Sequence, residues 1–171
     1  YDNRSACALD LDRVGAAGDQ VVGHRDGVGQ VGEEDGGGDV GGVALVEGLC
    51  DRLKIPNAYR ELAVLTSRYH LDAHRVAELR DSTLLDLLER LDAFRRPDRF
   101  EKWVLACEAD ARGRKGLENR DYSQADYLRR ARDAVAKVTL DPADREGLDG
   151  PKIAEKLRKA RLAVIASQGR S

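Results

Sequence analysis

The sequence predicts an all-α fold, a bundle of about seven short helices preceded by a disordered glycine-rich segment. After residue 42, apolar residues recur at the three- and four-residue spacing of amphipathic helices, and no stretch alternates apolar and polar residues as a half-buried strand does. Residues 1–42 lack such periodicity and contain 11 of the 17 glycines, no lysine and no proline. Such a segment buries too little apolar surface to offset the entropy of ordering.

The N-terminal segment has two alternative explanations. From Ala8 to Leu49 every residue belongs to one of nine types that a codon beginning with G or C can encode. An off-frame reading of a GC-rich gene would produce this bias, so residues 1–42 are either an off-frame translation or a genuine acidic, glycine-rich linker. The DNA upstream of Val43, translated in all frames, would distinguish them.

Two helices are predicted directly after this segment. The first covers residues 43–53, and its apolar side consists of Val43, Leu45, Val46, Leu49, Cys50 and Leu53. Pro56 then marks the start of a second helix, because its missing N–H costs nothing at the first helical position. This helix is predicted over about 57–69, and a short helix around 72–79 follows.

The middle of the chain predicts two more helices. A leucine-rich helix over about 83–94 has Ser82 as its predicted N-cap. The segment Arg95-Arg96-Pro97 ends it, because a residue before proline is pushed out of the α region. The next helix, over 98–111, carries Phe100 and Trp103 on its apolar side, so both aromatic rings are predicted to lie in the core.

The last two helices have recognisable starts. One begins near Asp121 or Ser123 and extends to about residue 138. The other covers about 152–167, with Asp149 and Pro151 at its start and a basic outer side.

Charge and cysteine content limit the possible functions. Residues 43–171 hold 22 acidic and 26 basic residues, a formal charge of +4 that is compatible with RNA contact. The three cysteines at 7, 50 and 107 are too few and too widely spaced for a disulfide framework or a zinc site. No apolar run is long enough to span a membrane and no signal pattern is present, which predicts a cytoplasmic protein.

A charged cluster lies where the helix over 98–111 ends. Helical spacing places Glu108 with Arg112, and Asp110 with Arg114, at i and i+4. These residues form either two ordinary surface ion pairs or a turn that contacts phosphates, at which Gly113 allows close backbone approach.

Further cations follow this cluster in the sequence. With so few aromatic residues available for stacking, recognition of a folded RNA through its shape and backbone is favoured over reading of a single strand. The predicted RNA-binding residues are Arg112, Arg114, Lys115, Arg120, Arg129 and Arg130.

His70 and His74 have the i, i+4 spacing that can place two imidazoles on one helix face toward a metal. The alternative is a pair of surface or partly packed histidines. We predict no metal ligands and no catalytic residues in this chain.

Several motifs resemble the C-terminal helical region of bacterial CCA-adding enzymes, the tRNA nucleotidyltransferases that carry an HD phosphohydrolase domain. The motifs are Leu91-Asp92-Ala93-Phe94-Arg95-Arg96-Pro97-Asp98-Arg99-Phe100 and Cys107-Glu108-Ala109-Asp110-Ala111-Arg112-Gly113-Arg114-Lys115-Gly116, with Tyr122 shortly after. The resemblance extends from about Val43 to the C-terminus and covers only the last part of the family's length. It implies that residues 43–80 end the HD domain and that 81–171 form a helical tRNA-binding tail.

The resemblance also implies a function for the parent family. Its members add C, C and A to tRNA 3′ ends from CTP and ATP, with Mg²⁺ for nucleotidyl transfer and a divalent metal for the phosphohydrolase. The paired aspartates of the catalytic head and the adjacent His-Asp pair are missing from this chain. A fragment that binds tRNA without cofactors of its own is therefore expected, with its oligomeric state left open.

Two alternatives remain. One is a helical protein-interaction module with no RNA role, whose basic faces only keep it soluble. The other is a residual metal-dependent phosphohydrolase that uses His70 and His74.

Overall fold

The computed structural model describes residues 40–169, and this part of the chain is all-α, as predicted. The predicted disordered segment lies outside the described residues, apart from its last three positions, which are helical. The described part contains seven α-helices and a short 3₁₀ helix, Val76–Glu78, between the second and third. The α-helices are α1 Val40–Leu53, α2 Asn57–His74, α3 Asp81–Arg90, α4 Pro97–Arg112, α5 Ser123–Ala136, α6 Pro142–Arg145 and α7 Gly150–Ser167.

Prolines and one aspartate set several helix starts. Pro56 immediately precedes α2, as predicted. Pro97, which was predicted to end the preceding helix, is instead the first residue of α4. The Asp149 carboxylate accepts a hydrogen bond from the Lys152 N–H at 3.0 Å and so caps α7. The predicted Ser82 cap is wrong, because α3 begins at Asp81 and Ser82 lies inside the helix.

One hydrophobic core joins α2 to α7. Its largest fully buried side chains include Trp103 and Phe100 of α4, as predicted, and it extends from Tyr69 in α2 to Ile165 in α7. The buried leucines of α3 and the buried face of α5 also belong to this core. Residues on both sides of position 80 therefore share one core, and the division into domains there stays a prediction.

Trp103 also joins two helices through a polar contact. Its indole N–H donates to the Leu65 carbonyl at 3.3 Å, which links α4 to the middle of α2. Nearby on α4, Cys107 is fully buried, and its burial raises the pKa of the thiol to about 12.

Helix α1 differs from its prediction in how its apolar residues are used. Val43 and Cys50 are buried, whereas Leu45, Leu49 and Leu53 are 78%, 45% and 57% exposed. These three leucines, spaced four residues apart, form a stripe on a different side of the helix. The predicted single apolar side is therefore wrong, because α1 packs mainly on α2 and a single neighbour covers only part of the helix surface.

We expect the Leu88→Ala substitution to lower the free energy of unfolding by about 2–5 kcal/mol, because Leu88 is completely buried and truncation leaves a cavity. Leu105→Ala is the matched control, since Leu105 on α4 is 50% exposed and its truncation should cost no more than about 0.5 kcal/mol. Urea denaturation followed by circular dichroism measures both. Equal losses in the two variants would contradict this assignment of the core.

Candidate nucleic-acid interface

The loop between α4 and α5, residues 113–122, carries three of the six predicted RNA-binding residues. Two consecutive turns shape it: the Leu117 N–H donates to the Arg114 carbonyl at 2.9 Å, and the Arg120 N–H donates to the Leu117 carbonyl at 3.0 Å. Gly116 adopts a φ of +88°, a left-handed conformation that other residues reach only with strain. The loop therefore has a defined backbone conformation.

Arg112, the last residue of α4, holds this loop in place. Its Nε donates to the Arg120 carbonyl at 3.0 Å, and its guanidinium pairs with Glu108 at 2.7 Å. The predicted Glu108–Arg112 pair is thus confirmed. Because the guanidinium is engaged on two sides, we assign Arg112 mainly to positioning of the loop.

The second predicted pair, Asp110 with Arg114, is wrong. Helix α4 ends at Arg112, so helical spacing does not extend to Arg114. The Asp110 carboxylate instead accepts a hydrogen bond from His74 Nε2 at 3.0 Å.

Three cations of the loop have no partner for their side chains. Within residues 40–169, Arg114, Lys115 and Arg120 make no side-chain hydrogen bond or ion pair, and all three are exposed. These residues, the loop cations, present positive charge that no protein carboxylate balances. They are suited to phosphate oxygens, which arginine and lysine bind at a surface.

A depression of about 220 Å³ lies beside the loop cations, and Arg114 and Arg120 form part of its rim. At its base, His74 Nδ1 lies 2.9 Å from the Tyr122 hydroxyl oxygen, and the Gln124 side chain donates to the His74 carbonyl at 3.3 Å. Burial raises the pKa of Tyr122, so its side chain stays a neutral phenol. His74 therefore connects the end of α2 to the loop and to α4.

The partners of His74 could not be identified from the sequence. Tyr122 is 48 residues away and Asp110 is 36 residues away, so no local spacing indicates these contacts. The sequence indicates Tyr122 only as part of a motif.

His70 and His74 do not have the geometry of a metal-binding pair. Their rings meet edge-on with centroids 5.8 Å apart, and both nitrogens of His74 are engaged by Tyr122 and Asp110. His70 Nδ1 lies 3.0 Å from the Thr66 carbonyl of the same helix. Among the described residues, no three His, Cys, Asp or Glu side chains are grouped so that they could hold a metal ion.

The two predicted residues on α5 differ in their environment from the loop cations. Arg129 donates from Nε to Glu101 at 3.0 Å and lies 3.5 Å from Asp126, and its hydrogen bond lowers the pKa of Glu101. Its charge is therefore largely balanced. Arg130 is exposed, and its guanidinium lies 6.0 Å from the centre of the Tyr127 ring. Neither residue lines the depression beside the loop.

Comparison with known proteins identifies similar sequences. A multifunctional CCA protein of Nitrosococcus oceani is 57% identical over 124 residues, which cover 72% of this chain and 30% of that protein. Multifunctional CCA proteins of Thioalkalivibrio sulfidiphilus and Pseudomonas fluorescens are 53% and 49% identical, with the same coverage. The chain thus spans about 30% of the length of these curated relatives. No family model and no solved structure matches the chain.

We expect Arg112→Gln to loosen the loop, because the substitution removes both the guanidinium contact to the Arg120 carbonyl and the pair with Glu108. Hydrogen exchange followed by NMR should show faster exchange at the amides of Leu117 and Arg120. Lys115→Gln is the control, since Lys115 makes no contact that holds the loop. Unchanged exchange in Arg112→Gln would show that Arg112 does not position the loop.

Proposed function

Because the matched part of this chain belongs to the family of the multifunctional CCA proteins, we propose that it is the tRNA-binding portion of a tRNA CCA-adding enzyme. The resemblance to the C-terminal region of such enzymes, found from the sequence motifs, is confirmed by these relatives. The matches extend over 123–129 residues, about the length of the segment from Val43 to the C-terminus.

The loop cations carry this proposal. Most other arginines and lysines in the described residues face a carboxylate, as Arg129 faces Glu101 and Lys156 faces Asp144. Arg114, Lys115 and Arg120 are instead grouped on one loop without such a partner, and their loop backbone is held by Arg112. A group of unbalanced cations on a fixed loop favours binding of RNA phosphates, which supplies affinity without reading sequence.

The aromatic side chains of α4, the loop and α5 support contact of this loop with the body of a folded tRNA. Phe100, Trp103, Tyr122 and Tyr127 are all buried and cannot stack on unpaired bases. We therefore assign recognition at this loop to phosphates and to the shape of the RNA, as is usual for double-stranded RNA.

We assign the catalytic steps of the parent enzyme to the part of the full-length relatives that this chain does not match. In full-length relatives we propose CTP- and ATP-dependent CCA addition and a phosphohydrolase, both dependent on divalent metal ions. The aspartates that would hold Mg²⁺ belong to the catalytic head, outside the part that these relatives match. We also propose that residues 43–80 correspond to the end of the HD domain and 81–171 to the tail, and that the chain works in the cytoplasm. No described helix combines the length and the apolar character needed to cross a membrane.

One observation favours the alternative of a protein-interaction module. The exposed leucines 45, 49 and 53 form an apolar stripe along α1, of the kind that a partner helix covers. Residual hydrolysis at His70 and His74 has no comparable support, since both nitrogens of His74 are occupied.

We expect the triple substitution of Arg114, Lys115 and Arg120 by alanine to weaken tRNA binding about tenfold or more at low salt. Because each phosphate contact contributes to counterion release, the slope of log affinity against log salt should fall by about 2–3. Electrophoretic mobility shifts at several salt concentrations measure both quantities.

The control is the triple substitution of Lys152, Lys156 and Lys159 by alanine, which changes the net charge by the same amount. It should leave tRNA binding largely intact, because these three lysines of α7 are already paired with carboxylates. Equal losses in the two triple variants would contradict binding at the loop. Absence of tRNA binding by the unmodified chain at low salt would favour the interaction module.

The chain alone should add no nucleotides to tRNA. Incubation with a tRNA lacking its CCA end, CTP, radiolabelled ATP and Mg²⁺ should give no labelled product, whereas a full-length relative in a parallel reaction should give one. Labelled tRNA formed by this chain would refute the assignment of binding without catalysis.

A further inference from the structure

A second basic site lies at the opposite end of α4 from the loop cations. Here the first turns of α2 and α4 enclose a groove of about 580 Å³. Tyr59 and Leu62 of α2 line one side, and Arg96, Arg99 and Lys102 line the other, with Arg95 just before α4. Helix α4 has 16 residues, so about 24 Å separates this groove from the loop.

Contacts between α2 and α4 fix the two walls of the groove. Glu61 accepts hydrogen bonds from Arg96 at 2.8 Å and from Arg99 at 3.1 Å, and these bonds lower its pKa. Arg99 also donates to the Leu91 carbonyl at 2.8 Å. The Trp103 contact with Leu65 lies one turn further along α4. The groove is therefore formed before any ligand arrives.

Positive charge exceeds negative charge in this groove. Arg96 and Arg99 share the single carboxylate of Glu61. Lys102 has no side-chain partner within the described range. Arg95 pairs with Asp92, yet its side chain is 84% exposed and open to a further contact. Asp98 also lines the groove and opposes an anion there, so any bound anion should lie on the Arg95, Arg96 and Lys102 side.

The groove also holds the one exposed tyrosine among the four in the described residues. Tyr59 is 68% exposed, whereas Tyr69, Tyr122 and Tyr127 are buried. Leu62 lies one turn further along α2, on the same side of the helix, and packs against the core, so that its side chain provides an apolar floor. An accessible aromatic ring beside an apolar floor is suited to a planar ring system, on which it can stack.

We propose that this groove binds a nucleotide, with the base against Tyr59 and Leu62 and the phosphate held by Lys102, Arg96 and Arg95. A metal ion is disfavoured by the excess of cations, and a bare anion would leave the aromatic wall unused. The nucleotide is either free or part of an RNA strand, since both present a base linked to a phosphate. The proposal does not rest on tRNA binding at the loop, because different residues carry it.

The test is an NMR titration of the chain with CMP, cytidine and inorganic phosphate, followed at the amides of residues 58–62 and 95–102. CMP should shift these signals and bind roughly tenfold more tightly than either of its parts, since only CMP uses both halves of the groove. Tyr59→Ala should reduce CMP binding to the level of phosphate, and Tyr59→Phe should restore it. Lys102→Gln should weaken CMP and phosphate alike.

Two further arms make the result specific. The double substitution of Arg114 and Lys115 by alanine, at the far end of α4, should leave CMP binding unchanged, so that failure at one site is distinguishable from failure at the other. Displacement of CMP by tRNA would identify the nucleotide as part of an RNA strand, and persistence of CMP would identify it as free. The proposal is overturned if millimolar CMP shifts none of these signals, or if Tyr59→Ala binds CMP as well as the unmodified chain.

Discussion

The contact of Trp103 with α2 is the interaction on which the rest of this structure depends. The indole is fully buried, and its N–H satisfies the Leu65 carbonyl, so that α4 is held against α2 along its length. Both basic sites lie at the ends of this helix pair. One lies where α2 and α4 begin, and the other lies where they end and His74 contacts Asp110. The relative position of the two sites is therefore set by a single helix pair.

The placement of carboxylates decides which arginines and lysines are available to bind an anion. The described part of the chain has many arginines, and most of them are balanced by an acidic neighbour, as Arg129 is by Glu101. Exposed pairs of this kind add little stability, but they remove the local excess of charge that an anion would need. Among the cations without such neighbours, Arg114, Lys115 and Arg120 are grouped at one end of α4, and Lys102 lies in the groove at the other. Total charge would not reveal this, because the whole chain carries a formal charge of −2.

Features that depend on neighbouring residues were predictable, and those that depend on distant contacts were not. Pro56, Pro97 and Asp149 act on the backbone beside them, and the starts of α2, α4 and α7 follow from the sequence. The apolar pattern of α1 predicts a helix, but it does not predict which of its apolar residues face a neighbouring helix. The contact between His74 and Tyr122 joins residues 48 positions apart. The groove at Tyr59 combines residues 58–62 with residues 95–102, and no local spacing relates these two segments, so the predicted site residues do not include it.

The sulfur of Cys107 has a practical consequence, because it lies on α4 between the two basic sites. Burial raises the pKa of the Cys107 thiol and leaves its sulfur inaccessible to solvent. The thiol should therefore resist alkylating agents and mild oxidants while the helices stay packed. Its chemistry becomes available only when α4 separates from its neighbours. The rate at which an alkylating agent labels this sulfur thus records how often the helices separate.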